Sequence, residues 1–492
     1  MWSRSPAVFS LVLRFLGLSA TVAGCTCSGG ASTGAAALAP RCELDAGPCD
    51  PAPGAAAMLD LGSFRGLATG AGGATYVTGA LLPPVRTFGG HPLASAGGLD
   101  VFVGRYEPVN ARPVWVRRFG DVGVQDPASL AVTPEGTVAV VGHFTGALEA
   151  DGVVARSPSG AGADFVLGLR GSDGQLRWAR AFDDGPEAAL VAVAASPQVD
   201  RIAVCGHASQ AATALVPGAT FHGGPRDAII AMFDGSGRRL WGAELGGPGS
   251  ESCTAVAVDA AGDVYAAGRY NRAFRLGSEL PDPGGPYSYW IWVARLDGRT
   301  GEVLAAAAYG GPGAQLPSAV AVDGRGQLIL GGTMNNSLDF GLDAGTLVSA
   351  GYGDAFVAKL DSRSSPPFAA RWAVRLGGPG SDGAKSVALD PHGDVAAAGF
   401  FTFRTTGAAE LEAELPATDA FLLLLDGETG KTRSALRFGD RETQTAERVA
   451  FGTGGDGRPY LALGGEFTGT IGFGPLTPLS TESGATYLLI AR

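Results

Sequence analysis

Seven times along this chain an apolar run ends on a glycine, at Gly79, Gly142, Gly206, Gly268, Gly332, Gly399 and Gly465. A second marker keeps the same count. An apolar run, mostly opened by aspartate, starts at Asp100, Asp164, Asp227, Trp290, Asp354, Asp419 and Thr486. A third marker is Trp115, Trp178 and Trp241, each 63 residues apart, with Leu304, Trp372 and Ser434 continuing the series. Self-similarity at such a period makes each repeat one supersecondary unit that must stack on its neighbours to bury a core.

Within a repeat the pieces read as strands. Ser386 to Asp390 and Asp394 to Gly399 flank the turn Pro391-His392-Gly393, a hairpin signature. Asp354 to Asp361 and Arg371 to Leu376 make a second hairpin after a longer loop. Four strands per unit predict a β-propeller blade. The expected fold is therefore all-β, a seven-bladed β-propeller of four-stranded antiparallel blades. The last repeat stops at Arg492 after its third strand, and Ala57-Met58-Leu59-Asp60-Leu61 lies ahead of the first hairpin. Pairing of these N- and C-terminal strands is expected to close the ring and remove an exposed edge.

Composition agrees. Gly 78 and Pro 31 supply turns, and 17% charged against 46% hydrophobic residues is the reverse of a disordered chain. The formal net charge is −11 and no Lys/Arg cluster stands out, which argues against a nucleic-acid partner.

The chain opens with Arg4 and an apolar run from Ala7 to Ala20, short for a membrane span. It ends on Val22-Ala23-Gly24-Cys25, which resembles the bacterial lipobox. That resemblance implies cleavage before Cys25, acylation of Cys25, and, with Thr26 rather than an acidic residue following, an outer-membrane location. Residues 1–24 are read as a lipoprotein signal peptide, 25–56 as a flexible Gly/Ala/Ser/Pro tether, and 57–492 as the propeller. Disulfides are permitted in an exported protein. Cys42 and Cys49 would close a small loop in the tether, and Cys205 and Cys253 would staple neighbouring blades; sequence leaves the pairing open.

Trp372-Ala373-Val374-Arg375-Leu376-Gly377-Gly378, Ser386-Val387-Ala388-Leu389-Asp390 and Gly351-Tyr352-Gly353-Asp354-Ala355-Phe356-Val357 resemble the repeats of the bacterial seven-bladed β-propeller (SBBP) family. The resemblance covers about residues 57–492 and implies an exported protein without assigning an activity.

Few motifs carry chemistry. The loops Gly246 to Gly249, Gly310 to Gly313 and Gly377 to Gly380 lack the Lys-Ser/Thr of a phosphate-binding loop and read as turns. The repeats also look like those of quinone-dependent dehydrogenases and of the propeller lipoprotein of outer-membrane assembly. With no adjacent cysteine pair or calcium cluster, no cofactor is expected. The aspartates at the third-strand starts recur, as turn-stabilising groups do and catalytic groups do not. His143 and His207 follow marker glycines and read as structural, and no metal site or catalytic residue is assigned. Tyr287, Tyr289, Trp290 and Trp292 form the densest aromatic cluster and are a candidate contact patch. The expectation is a monomeric envelope lipoprotein, bound to the membrane through its lipid alone, whose propeller is a scaffold for a protein or glycan. The alternatives are a propeller hydrolase or lyase acting on polysaccharide, and a structural envelope component without ligand.

Overall fold

The computed structural model describes residues 54–492, apart from Asp60 and residues 84–85, 89–90, 150–152, 158–161, 184–187, 210–213, 219–221, 223, 286, 342 and 415–416. The signal peptide, Cys25, Cys42, Cys49 and most of the tether lie outside the described residues.

Seven antiparallel units of four blade strands follow one another, and the two-residue strand Thr406–Gly407 adds to the outer edge of the fifth. Blade 1 consists of Ser63–Thr69, Thr75–Leu81, Asp100–Tyr106 and Pro113–Phe119. Blades 2 to 6 start with the strands Gln125–Val132, Ala189–Ala195, Ser252–Val258, Gln315–Val322 and Gly383–Leu389. Blade 7 runs Gln444–Thr453, Pro459–Ile471 and Leu479–Ala491, and Ala55–Met58 completes it. Each first strand packs against the first strand of the next blade, and the seventh against the first, so these strands form a closed inner ring. The only helical turn among the described residues is the 3-10 turn Ala71–Gly73.

The ring closes as expected. Ala55 pairs with Ile490 and Met58 with Tyr487, and the Leu59 amide donates to the Thr486 carbonyl at 2.8 Å. The closing strand begins at Ala55, within the stretch read as tether, and Ala55 and Ala57 pack on the cluster that holds Leu488 and Ile490.

There is no single central core. The seven buried apolar clusters fall one to each interface between successive blades; Val101, Trp115 and Phe119 of blade 1, for example, pack on Val140, Phe165 and Leu167 of blade 2. Middle strands are covered on both faces. Hence Asp227–Asp234 reads as an unbroken apolar run, buried at every position but its last.

The repeated tryptophans are latches between blades. Trp115, Trp178, Trp241 and Trp372 donate their indole N–H to the carbonyls of Gly171, Gly235, Gly298 and Gly427 in the next blade, at 2.8 to 3.2 Å. Each ring covers a glycine of positive φ in the same turn: Gly174, Gly237, Gly301 and Gly430. The register corrects one step of the series. Ala305, opposite Arg295, holds the tryptophan position of blade 4, whereas Leu304 is the extra residue of a bulge and is exposed.

Candidate functional site

Every inner strand carries a β-bulge at the same place. The extra residue is Arg65, Ala128, Val191, Thr254, Ser318, Lys385 and Glu447 in blades 1 to 7. Opposite each bulge stands a marker glycine. A Cβ on any of the seven would lie 1.8 to 2.2 Å from a carbonyl oxygen of the bulged strand. Glycine recurs there because the bulge pushes backbone into the space of a side chain.

The bulge residues are where sevenfold repetition breaks. In blades 2 to 5 they are short and uncharged. In blades 6, 7 and 1, which are contiguous around the ring, they are Lys385, Glu447 and Arg65. Arg65 pairs with Asp126 of blade 2 at 3.3 Å, and Lys385 pairs with Glu447 at 3.5 Å. Arg65 and Lys385 keep 43% and 39% of their side-chain surface open, so solutes reach them. Such exposed pairs contribute about 0.2–1 kcal/mol each, so stability is a poor reason for their presence.

Arg448 is the sharpest exception. Its counterparts are Gly66, Ser129, Ala192, Ala255, Ala319 and Ser386, all small where blades crowd the axis. Its guanidinium donates to the Glu447 carbonyl at 2.8 Å. Burial lowers its pKa, Glu447 opposes that shift, and Arg65 adds to it. Glu466 borders the same wall and accepts the Phe64 amide at 2.9 Å. Burial raises its pKa, with the Phe64 bond opposing and Glu447 adding. The wall thus gathers Arg65, Lys385 and Arg448 with Asp126, Glu447 and Glu466.

The opposite mouth holds a depression of about 540 Å³ among the hairpin turns, lined by Asp323, Arg325, His392 and Glu428. Its aspartates are spent on turns: Asp323 accepts the Arg325 and Gln327 amides, and Asp390 those of His392 and Asp394. These are repeat features, like those of Asp259.

The proposed aromatic patch does not stay together. Trp292 is fully buried, Trp290 donates to the Gly311 carbonyl, and Arg269 stacks on Tyr289. Two apart on the strand Trp290–Leu296, Trp290 and Trp292 share one face and pack on the same core cluster. Tyr287 alone stands clear, and the equivalent loop of blade 5 presents Tyr352; each is 85% exposed.

The recurrent aspartates are buried loop anchors. Asp100 accepts the Ala96 amide, Asp354 that of Ala350, and Asp227 that of His222. Arg375 and Arg437 ion-pair with Asp354 and Asp419. At Gly120, Gly246, Gly377 and Gly439, which close blades 1, 3, 5 and 6, a Cβ would strike that aspartate. This explains the glycine-rich connections as tight passages between blades. His143 bonds to Asp164, which raises its pKa.

Cys205 and Cys253 are free thiols in the structure, both fully buried, on adjoining strands of blades 3 and 4. Burial, and then the Cys253 side chain beside it, push the Cys205 thiol well above the usual range. Among the described residues no group of three or more His, Cys, Asp or Glu is placed to hold a metal ion.

No protein-family model and no curated protein matches the chain. Solved structures similar to it are propellers at low identity. The Dos1 propeller is 10% identical with a TM-score of 0.43, covering 89% of this chain and 93% of its own. BamB from Moraxella catarrhalis is 12% identical with a TM-score of 0.36, covering 89% and 96%. The quinohemoprotein alcohol dehydrogenase from Comamonas testosteroni is 11% identical with a TM-score of 0.39, covering 89% and 76%. The propeller assignment stands on the strand register of this chain.

Proposed function

We propose that this chain is a cell-envelope lipoprotein, anchored through Cys25, whose propeller is a binding scaffold for an envelope protein or glycan. The observation that carries the reading is the break in repetition at the axis. Where six blades have Gly, Ala or Ser, the seventh has Arg448, and three contiguous blades supply charged bulge residues. A feature confined to part of a repeat array is not needed to build the repeats. The lipobox-like start and SBBP-like repeats support export, and an oxidising compartment would let Cys205 and Cys253 join as a staple between blades.

A hydrolytic reading draws on Glu466, a carboxyl of raised pKa beside Glu447. Binding is favoured because one oxygen of Glu466 is already committed to the Phe64 amide. Crosslinking in intact cells, with mass spectrometry of what co-purifies, tests the scaffold reading against a Cys25→Ala control. A reproducible envelope partner that disappears in the control is expected; the same partner set in both samples would overturn anchored binding.

A further inference from the structure

We propose that Cys205 and Cys253 close into a disulfide that staples blade 3 to blade 4 when the chain folds in the presence of a disulfide oxidant, and that the finished ring then seals the bond in. The geometry rests on the fold alone. The oxidant rests on the export half of the proposed function, since cytosolic thiols are kept reduced.

Position carries the argument. Cys205 stands immediately before the marker Gly206, on the second strand of blade 3, Arg201–Ala208. Cys253 stands opposite the marker Gly268, on the inner strand of blade 4, Ser252–Val258. These two strands pack against each other, and both cysteines are fully buried in one cluster. Their side chains hydrogen-bond to each other. The repeat supplies the separation. Between blades 5 and 6 the same two positions are Gly331 and Ala384. A Cβ on Gly331 would lie 3.7 Å from the Cβ of Ala384. Cβ atoms joined through a disulfide are about 3.5–4.5 Å apart, so this pair of positions accepts the bond without backbone movement. Packing does not call for cysteine there. Other interfaces fill the two positions with Val141 and Leu190, Ala267 and Pro317, or Ala398 and Ala446.

Timing follows from burial. The attacking group in thiol–disulfide exchange is a thiolate. In the closed ring neither sulfur meets solvent, and burial, then the Cys253 side chain, favour the protonated Cys205 thiol. Exchange therefore belongs to the stage before blade 4 seats on blade 3. One cysteine thiolate attacks the oxidant's disulfide and expels one thiolate. The second attacks the mixed disulfide and expels the other. Two cysteine thiols and one disulfide oxidant become one protein disulfide and two oxidant thiols, which take up the two protons.

The test is refolding of the reduced full chain from urea with oxidised glutathione, followed by alkylation and peptide mapping by mass spectrometry. Peptides joined through Cys205 and Cys253 are expected from most molecules. The same oxidant added to reduced protein that is already folded is expected to give less than about a tenth as much. The oxidised protein should melt at least about 3 °C above the reduced one. Cys205→Ala with Cys253→Ala should abolish that difference while Cys42 and Cys49 remain. Alanine holds both positions between blades 6 and 7, so the double variant is compatible with the fold. Free thiols at 205 and 253 after oxidative refolding, pairing of either with a tether cysteine, equal melting temperatures, or an equal yield from folded protein overturns the inference. A bond that forms on refolding but is absent from protein taken from intact cells upholds the inference and counts against the export reading.

Discussion

Gly268→Ala is expected to destabilise the protein by about 3–5 kcal/mol, at the upper end of single substitutions. A Cβ there would lie 1.9 Å from the Ser252 carbonyl oxygen and 2.6 Å from the Trp292 ring. Neither neighbour yields cheaply. The carbonyl belongs to the inner-strand bulge, and Trp292 is fully buried among Cys205, Ala266 and Phe274. Gly324→Ala is the matched control, since a Cβ at Gly324 meets nothing within 4 Å. It should shift stability by less than about 0.5 kcal/mol. Urea unfolding of the two variants decides the matter. Equal midpoints would mean that the recurrent glycine has some other cause than the bulge.

Glu251→Gln is expected to stabilise the protein at pH 8 and to do little at pH 4. Glu251 immediately precedes the inner strand of blade 4, fully buried, and accepts the Gly247 amide at 2.8 Å. Burial lifts its pKa to about 7; the Gly247 bond opposes this and the nearby Asp227 charge adds to it. A carboxyl whose folded pKa is raised is favoured in its protonated form. Its contribution is complete below the ordinary value of 4.5 and is lost as pH rises through about 7. A shift of that size is about 3 kcal/mol by linkage. Glutamine does not titrate and already holds the same position as Gln125, Gln315 and Gln444. There it bonds the blade connection, as Gln444 does with Asp440 and Thr468. Asp382, raised to about 6 chiefly by burial, adds a slope of the same sign that the variant keeps. Thermal melts of both proteins from pH 4 to pH 8 should therefore diverge upward through neutrality. Parallel curves would show that Glu251 is ionised throughout.

The propeller was readable from sequence because its constraints are local and repeated. A bulge that forbids a side chain writes a glycine into every blade, and a buried loop anchor writes an aspartate into most. Ring closure was readable because the last repeat lacks one strand. The aromatic cluster divides because Trp290 and Trp292, two apart on one strand, share the face that packs on the core between blades 3 and 4, while Tyr287 stands on an exposed loop. The charged axis was missed because its residues share a position but no chemistry. The signal was present. Thr254 precedes Gly268 by 14 positions, as Arg65 precedes Gly79 and Lys385 precedes Gly399. Counting back 14 from the glycine reaches the bulge in blades 1, 2, 4, 5 and 6, but Val191 lies 15 before Gly206 and Glu447 18 before Gly465, so the register is needed to find those two. Glu251 and Asp382 stayed hidden likewise, since their role emerges only beside Gln125, Gln315 and Gln444.

We propose the channel wall built from blades 6, 7, 1 and 2 as the binding surface. A photo-crosslinking residue placed at Ala128, beside Arg65 and Asp126, tests it in living cells. Arg299, on an exposed turn of blade 4, is the comparison site. A defined adduct is expected from position 128, absent from position 299 and lost when Arg65→Glu and Lys385→Glu are added. An adduct that forms equally from position 299, or that survives the charge reversals, would contradict it.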